Sequence, residues 1–459
     1  MKTRLYIALI ISSTILIDNS SAQTIATGIY HSLAICNNNT ARAWGNNLSG
    51  QLGNGTVTLN SNVVQVSGLT GAIAIAGGAD HSLALKNDGT VWAWGDNGAG
   101  QLGIGNNTDK YTPVQVSSLN GVSAIATGFY HSIALKNDGT VYAWGNNIDG
   151  QLGDGTNTNS NIPLQVSGLT GIIAIAEGDF HTLVLKNDGT VSSWGRNDWG
   201  QLGDGTNINS NVPVQVSGLT GVIAIAGGSQ HSLALKNDGT VWGWGSDGYG
   251  QIGNGGAVSY VPVQVSGLTG VVAIACGGIF SLVLKNDGTV WAFGKNDYGQ
   301  LGNGTTISSG VPVQVSGLTG VVSIAAGSFH SLALKSDGTT RAWGKNGNRQ
   351  LGNGNTTDSN VPVTQTGLCT LLTVSVDEIN VPLSFSVFPN PSNNVFNVQM
   401  NKFENTQMKV YNISGECIYQ QIGTSDNLQI DLSSHPNGIY FLRMQTKQGT
   451  STQKLIIQK

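Results

Sequence analysis

Hydrophobic and polar positions alternate with a period of two along most of this chain, in short runs of five or six residues. Ala72-Ile73-Ala74-Ile75-Ala76 alternates small and large side chains, and His81 to Lys86 sets Leu83 and Leu85 on one face. Thr90 to Trp94 does the same with Trp92 and Trp94, because successive strand residues point to opposite sides. Asn87-Asp88-Gly89 lies between the last two runs and reads as a tight hairpin turn, with glycine supplying the positive φ. A long Gly/Asn loop follows, and then Pro113 to Ser117, whose proline suits an edge or first strand position. These runs predict four short antiparallel strands, A to D.

The same pattern returns along the chain. Trp-Gly recurs at Trp44, Trp94, Trp144, Trp194, Trp244 and Trp343, and Phe293-Gly294 fills the missing place; the steps are 50, 50, 50, 50, 49 and 50 residues. Gly-Gln-Leu-Gly follows each time, with Ile252 for Leu in the fifth copy and Arg349 for the first Gly in the seventh. Seven copies fill Thr24 to Leu368. Four antiparallel strands repeated seven times predict an all-β fold, a seven-bladed β-propeller of four-stranded blades. A parallel β-helix is the alternative, and the tight antiparallel hairpins speak against it. The first copy has no D strand before Thr24, and the last ends with one at Pro362 to Thr366. The expectation is that this last D strand completes a blade with strands A to C of residues 24–45, joining the chain ends and removing an exposed edge.

The string from His81 to Gly95, His-Ser-Leu-Ala-Leu-Lys-Asn-Asp-Gly-Thr-Val-Trp-Ala-Trp-Gly, and the Gly-Gln-Leu-Gly after it resemble the regulator-of-chromosome-condensation repeat. The resemblance spans about three quarters of the chain. It implies a seven-bladed propeller but no single activity. The family's eukaryotic members include a nucleotide-exchange factor for a nuclear GTPase and a plant ultraviolet receptor, and a secreted bacterial branch includes β-lactamase inhibitory proteins. The photoreceptor's Gly-Trp-Arg-His strings are absent here, and the start of the chain argues against a nuclear role. Lys2 and Arg4 precede an apolar run from Leu5 to Ile17, and Ser20-Ser21-Ala22 offers a small-x-small cleavage site before Gln23. Residues 1–22 therefore read as a removed secretory signal, followed by the propeller at 23–368. No transmembrane segment is expected in the mature chain.

After Leu368 the repeat stops. Residues 369–384 read as a linker, and 385–459 as a second, small β-sandwich-like domain with strands at Val395 to Met400, Met408 to Ile413, Leu428 to Leu432, Gly438 to Met444 and Lys454 to Ile457. Phe388-Pro389-Asn390-Pro391, the Ser414-Gly415 turn, Asn437-Gly438-Ile439-Tyr440-Phe441 and the terminal Lys454 to Lys459 resemble the C-terminal sorting domain of the type IX secretion system, type A. That resemblance implies the type IX machinery as a partner of residues 385–459. It also implies a secreted or surface-held product of a diderm, Bacteroidetes-like bacterium.

Composition narrows the function. Glycine accounts for 65 of 459 residues, about twice the usual share, without the three-residue period of collagen. A net charge of −4 without a basic block is a poor match for nucleic acid. Four cysteines, far apart and in no CxxC pair, predict neither a disulfide framework nor a zinc site. One histidine opens strand B in six copies (His31, His81, His131, His181, His231, His330), with Phe280 in the sixth, and Ser32, Ser82, Ser132, Ser232 and Ser331 stand beside it. A metal ring or a Ser–His dyad is conceivable chemistry for these residues. Their recurrence with the fold instead reads as structural, each histidine bonding to backbone of its own blade. The Asp/Asn/Gly loops, such as Gly153-Asp154-Gly155-Thr156-Asn157, lack the carboxylate density of calcium loops. No catalytic residue, metal or cofactor is expected.

Two classes of function stay open: a non-enzymatic protein- or glycan-binding or adhesion module, and an extracellular glycan-acting lyase or hydrolase. Nearly identical blades favour binding. Antiparallel strands put the constant B–C and D–A turns on one end and the variable A–B turns and C–D loops on the other. Tyr30, Tyr130, Phe180, Trp199, Tyr249, Tyr298 and Phe329 are the large aromatics among these variable positions, and they mark the expected face for an unidentified protein or glycan partner.

Overall fold

The structure is a computed structural model that describes residues 25–369, 385–392, 394–400, 406–412, 416–423, 427–446 and 449–458. The expected secretory signal lies outside the described residues, as do the linker apart from Cys369 and part of the Asn412–Glu416 turn. The chain divides into two compact units, one up to residue 374 and one from 375 onward.

Each repeat forms its own four-stranded antiparallel sheet in the order A-B-C-D. In blade 2 the strands are Ala72–Gly77, His81–Lys86, Val91–Gly95 and Lys110–Gln115. The D strand begins earlier than the sequence pattern places it. Its pairing with C jumps from Ala93↔Val114 to Gly95↔Lys110, so Pro113 sits in an irregular stretch where the ladder asks for no N–H. Val116 and Ser117 leave the ladder and donate to the carbonyls of Val91 and Gly103. The A strands form the centre. Each touches the next, and Ile25–Thr27 of blade 1 touches Val321–Ala326 of blade 7, closing a ring.

The closure differs from the expected one. The last D strand, Ser359–Thr364, pairs with Thr340–Gly344 of its own repeat, and the first repeat has its own D strand, Asn60–Gln65, paired with Ala41–Gly45. Seven complete A–D sets fit between residues 25 and 364, so no strand is left over to share. The seam is closed by the side-chain contacts used at the other blade junctions, with a disulfide added.

Those contacts explain the repeated motifs. The Trp94 indole of blade 2 donates to the Gln51 carbonyl of blade 1 at 2.9 Å, and Ser82 Oγ donates to the same carbonyl at 2.9 Å. At the seam Trp44 and Ser32 of blade 1 both donate to the Gln350 carbonyl of blade 7, each at 2.9 Å. The glycine closing Gly-Gln-Leu-Gly lies under the indole: a Cβ on Gly53 would stand 2.7 Å from Trp94 Nε1, at a φ of +66°. Glycine is required there on both counts.

The histidines do not bond to their own blade, as the sequence suggests; they reach the next one. His31 Nε2 lies 2.9 Å from Ser82 Oγ, His81 3.1 Å from Ser132, His181 2.8 Å from Ser232, His231 2.9 Å from Ser281, and His330 2.8 Å from Ser32 across the seam. Because each serine hydroxyl spends its proton on a glutamine carbonyl, it accepts from the ring, which fixes the Nε2–H tautomer. The rings and serines are fully buried. Phe280 replaces the ring in blade 6, and Ser331 keeps its bond to the Gln300 carbonyl.

Cys36 and Cys369 form a disulfide across 333 residues, with their Cα atoms 5.9 Å apart. This corrects the sequence expectation: only the closed ring brings the two together. Cys276 and Cys417 are free.

In the second unit, Phe385–Phe388, Val395–Met400 and Asn427–Asp431 form a three-stranded sheet. Cys417–Gly423, Thr406–Tyr411, Gly438–Thr446 and Gly449–Ile457 form a four-stranded one. Phe396, Val398, Met408, Leu442 and Leu455 belong to one apolar cluster. The strands at 385–388 and 417–423 are not anticipated by the sequence pattern, because neither alternates cleanly.

Burial lowers the imidazole pKa of His31, His81, His181, His231 and His330 from 6.5 to about 3. The fold holds these rings neutral where the unfolded chain protonates them. Each therefore contributes stability above pH 6.5 that is lost as pH falls from 6.5 toward 3, at about 1.4 kcal/mol per pH unit. His231→Phe copies the Phe280 solution. It is expected to be about 1 kcal/mol less stable than the parent at pH 7.5, from the lost Ser281 bond. Below about pH 5.8 the order reverses, because the cost of holding the ring neutral then exceeds that 1 kcal/mol. Urea unfolding at pH 7.5, 6 and 5 checks this, and parallel curves would contradict it. Replacing Cys36 and Cys369 together with serine is expected to lower stability by about 2–5 kcal/mol with unchanged far-ultraviolet circular dichroism at 25 °C.

Candidate binding face

The variable segments share one end of the propeller. In blade 2 the amide of Asp96, at the start of the C–D loop, donates to the Asp80 carbonyl in the A–B turn. At the other end Asn87 of the B–C hairpin bonds to the Gly71 carbonyl, and the Gly89 carbonyl accepts from Val122. Asp88 caps that hairpin, its Oδ1 accepting from Thr90 N at 3.0 Å and Thr90 Oγ1 at 2.6 Å.

The C–D loops are held from within by a buried asparagine two residues after the aromatic-Gly pair in six copies, and by Asp247 in the fifth. Asn147 Oδ1 accepts from Leu152 N, and its Nδ2 donates to the carbonyls of Thr156 and Thr158 and to Asp154. Asp154 also accepts from Thr156 N at 2.9 Å, so its oxygens serve the loop rather than point outward as a calcium ligand set. Among the described residues no group of three or more His, Cys, Asp or Glu is placed to hold a metal ion.

The structure gathers most of the seven predicted aromatics into groups. Tyr30 stacks on Phe329 across the seam at 5.8 Å, and Tyr298 meets Phe329 edge-on at 5.7 Å. Lys345 Nζ lies 5.5, 4.6 and 4.9 Å from the ring centres of Tyr30, Tyr298 and Phe329. A second group joins Tyr130 and Phe180 through Phe129, which contacts them at 4.4 and 5.4 Å, with the Arg196 guanidinium 5.7 Å from the Phe180 ring. Tyr249 and Trp199 are the most open, 46% and 42% exposed, and Lys295 lies 4.7 Å from the Tyr249 ring.

Sequence reasoning misses Phe129 and the three cations. Arg196, Lys295 and Lys345 all directly follow an aromatic-Gly pair, where other copies carry Asn46, Asp96, Asn146 and Ser246. Comparing that column between copies would have found them. The face is also polarised. Away from the basic members, Asp80 and Asp96 lie near Tyr130; burial first, and then these two charges, hold its hydroxyl above the usual tyrosine range. Burial and then Asp96 raise the Asp80 carboxyl in turn. In the middle of the end, the A-strand termini and A–B turns of all seven blades surround a cavity of about 90 Å³, with glycine from each blade on its wall.

The RCC1-like domain family matches residues 23–257 and 169–386, and the secretion system C-terminal sorting domain matches 386–458. No curated protein matches the chain in sequence. Among solved structures, Prp20p from Saccharomyces cerevisiae is 27% identical over 70% of this chain and 84% of its own, with a TM-score of 0.62. Human WBSCR16 is 28% identical over 66% and 83%, with a TM-score of 0.60. Yeast RCC1 (Prp20), solved bound to Kap60, is 25% identical over 79% and 91%, with a TM-score of 0.65. The sorting domain directs export to the cell surface or extracellular space in Bacteroidetes. Among the described residues no helix is long and apolar enough to cross a membrane.

Deleting residues 385–459 is expected to leave the propeller folded but held in the periplasm, as read by fractionation and protease shaving of intact cells. Truncated protein at the surface or in the medium would contradict the assignment.

Proposed function

We propose that this chain, which belongs to the RCC1-like domain family, is a non-enzymatic binding or adhesion protein of the cell exterior. Its propeller holds a protein or glycan partner on the end that carries the A–B turns and C–D loops. The observation behind this reading is the collection of aromatic rings and unlike charges at the positions that blade packing leaves free to vary. Rigid aromatics bury much surface at low entropic cost, and aromatics and arginine are enriched in interface cores. RCC1-like propellers are generally binding or exchange proteins rather than catalysts, and the similar Prp20p has binding properties toward Gsp1p and histones. Both facts favour a protein over a glycan as the partner.

The competing reading, a glycan-acting lyase or hydrolase, requires an accessible acid–base pair. The histidines and serines that suggested one are buried and committed to blade-to-blade bonds.

The test screens the purified full chain against a panel of extracellular proteins and a glycan array. Hits are re-measured with Trp199→Ala and Tyr249→Ala. Each is expected to weaken binding by about 1–4 kcal/mol with an unchanged melting curve. Asp138→Ala and Asp238→Ala, at the opposite end, are expected to leave binding unchanged. The reverse pattern would put the site on the wrong end.

A further inference from the structure

Of the three cations that follow an aromatic-Gly pair, two are neutralised within their own loops. Arg196 pairs with Asp198 at 2.6 Å and Lys295 with Asp297 at 3.1 Å, the acid standing two residues on in each case. In blade 7 the residue two after Lys345 is Gly347. Asp358, the one acid of that C–D loop, accepts from the Asn346 amide at 2.7 Å. Across the seam, the A–B turn and C–D loop of blade 1, residues 28–30 and 46–59, carry no charge. The Lys345 ammonium thus has its three aromatic neighbours but no ion pair among the described residues.

The same loop holds a second cation at a conformational cost. Arg349 stands where six copies have glycine at a φ of +77° to +87°. In those copies a Cβ would lie 2.1 to 2.6 Å from a D-strand residue of the next blade, so this position faces the neighbouring blade closely. Arg349 keeps the left-handed backbone, at +65°, which is uncommon for a residue with a long side chain. Its amide bonds to the Asn346 carbonyl, closing a turn that starts beside Lys345. Arg349 forms no ion pair among the described residues.

Blade 1 supplies apolar surface at this junction. The amide of Asn46 donates to the Tyr30 carbonyl and the amide of Leu48 to the Asn46 side chain, so the loop starts beside the Tyr30–Phe329 stack. Leu48 is 65% exposed, and Leu59, next to the Thr58 whose carbonyl accepts from Asn47, is 48% exposed. Open leucines carry no hydrogen-bonding group, so they suit the apolar side chains of a peptide better than the hydroxyls of a sugar.

We propose that the junction of blades 7 and 1 on the variable end docks an acidic, apolar segment of a partner protein. Its carboxylates meet Lys345 and Arg349, and its apolar side chains meet Leu48, Leu59 and the aromatic rings at the seam. The proposal rests on reading this end as the binding face, and it names the chemistry of the partner.

The probe is a peptide of three Glu-Leu-Asp-Phe repeats, titrated into the full chain by calorimetry, with Gln-Leu-Asn-Phe repeats as the uncharged control. The acidic peptide is expected to bind more tightly than the control, and the difference to shrink as salt rises. Arg349→Gly is expected to weaken its binding about threefold, and the Lys345→Gln, Arg349→Gly double variant about tenfold. Arg349→Gly restores the residue of the other six copies, so it is expected to melt no lower than the parent, and its weaker binding is not misfolding. Equal binding of the uncharged control, or undiminished binding by the folded double variant, would overturn the proposal. So would binding of polygalacturonate with none of the acidic peptide, which would make the occupant an acidic glycan. Trp199→Ala and Tyr249→Ala, in blades 4 and 5, are expected to leave binding of the acidic peptide unchanged, so failure at this junction and failure of the wider aromatic face are read separately.

Discussion

The carbonyl of the glutamine in each Gly-Gln-Leu-Gly segment receives hydrogen bonds from the next blade, and the ring depends on them. A hydroxyl reaches it at all seven junctions, and an indole at six. A four-stranded blade cannot bury both of its faces alone, so its stability comes from its neighbours. Apolar packing between blades is permissive about register, whereas a buried carbonyl with two directional donors is not. The buried imidazole extends the arrangement by donating to the same hydroxyl, so one blade's histidine and glutamine hold one serine of the next. Every group in that chain is desolvated, and each would be costly to leave unpaired. That expense explains why motif residues recur with so little variation while the loops beside them vary freely.

The ring and its repeat were legible because period-two alternation, hairpin turns and a fixed spacing all report local geometry. The closure was not. A missing strand before Thr24 and a terminal one at Pro362 suggested a shared blade, but counting copies from strand A leaves every sheet complete. The partner of Cys36 was equally hidden, because its distance from Cys369 is set by seven accumulated blade rotations and by nothing near either residue. The histidines were placed correctly on strand B and given the wrong partner for the same reason: contacts between blades join residues about 50 apart, beyond any local pattern. The aromatic positions on the variable end came from comparing copies. Phe129, Arg196, Lys295 and Lys345 escaped because only the positions immediately before the histidine and before Gly-Gln were compared.

Departures from the repeat fall into two kinds with different physical meanings. Blade 6 replaces His by Phe280 and the motif Trp by Phe293, both fully buried, exchanging hydrogen bonds for apolar packing in the same slots. A change of that kind keeps the slot filled by an aromatic ring and desolvates no new polar group, so it is tolerated without a functional reason. Blade 4 moves the other way. It brings a carboxylate into a position where small residues suffice and leaves one oxygen unpaired. Blade 5 does the same in its C–D loop, where the buried Asp247 replaces the loop asparagine and leaves its Oδ2 without a partner. The Glu177 carboxylate is enclosed between blades 3 and 4, bonded to His131 and Thr182.

Export and architecture fit each other. An oxidising exterior lets the Cys36–Cys369 bond form and persist, and the bond lies at the one junction where the chain itself does not continue from blade to blade. Six junctions are covalently continuous through their D–A turns. The seventh is held by non-covalent contacts, the Trp44, Ser32 and His330 hydrogen bonds, the Tyr30–Phe329 stack and apolar packing, and the disulfide restores continuity there. A ring sealed in this way cannot open at its weakest junction without also breaking a covalent bond. The variable end, assembled from turns of all seven blades, therefore keeps its geometry outside the cell. Were that end to bind a partner through side chains from many blades, recognition would require those blades to hold their spacing.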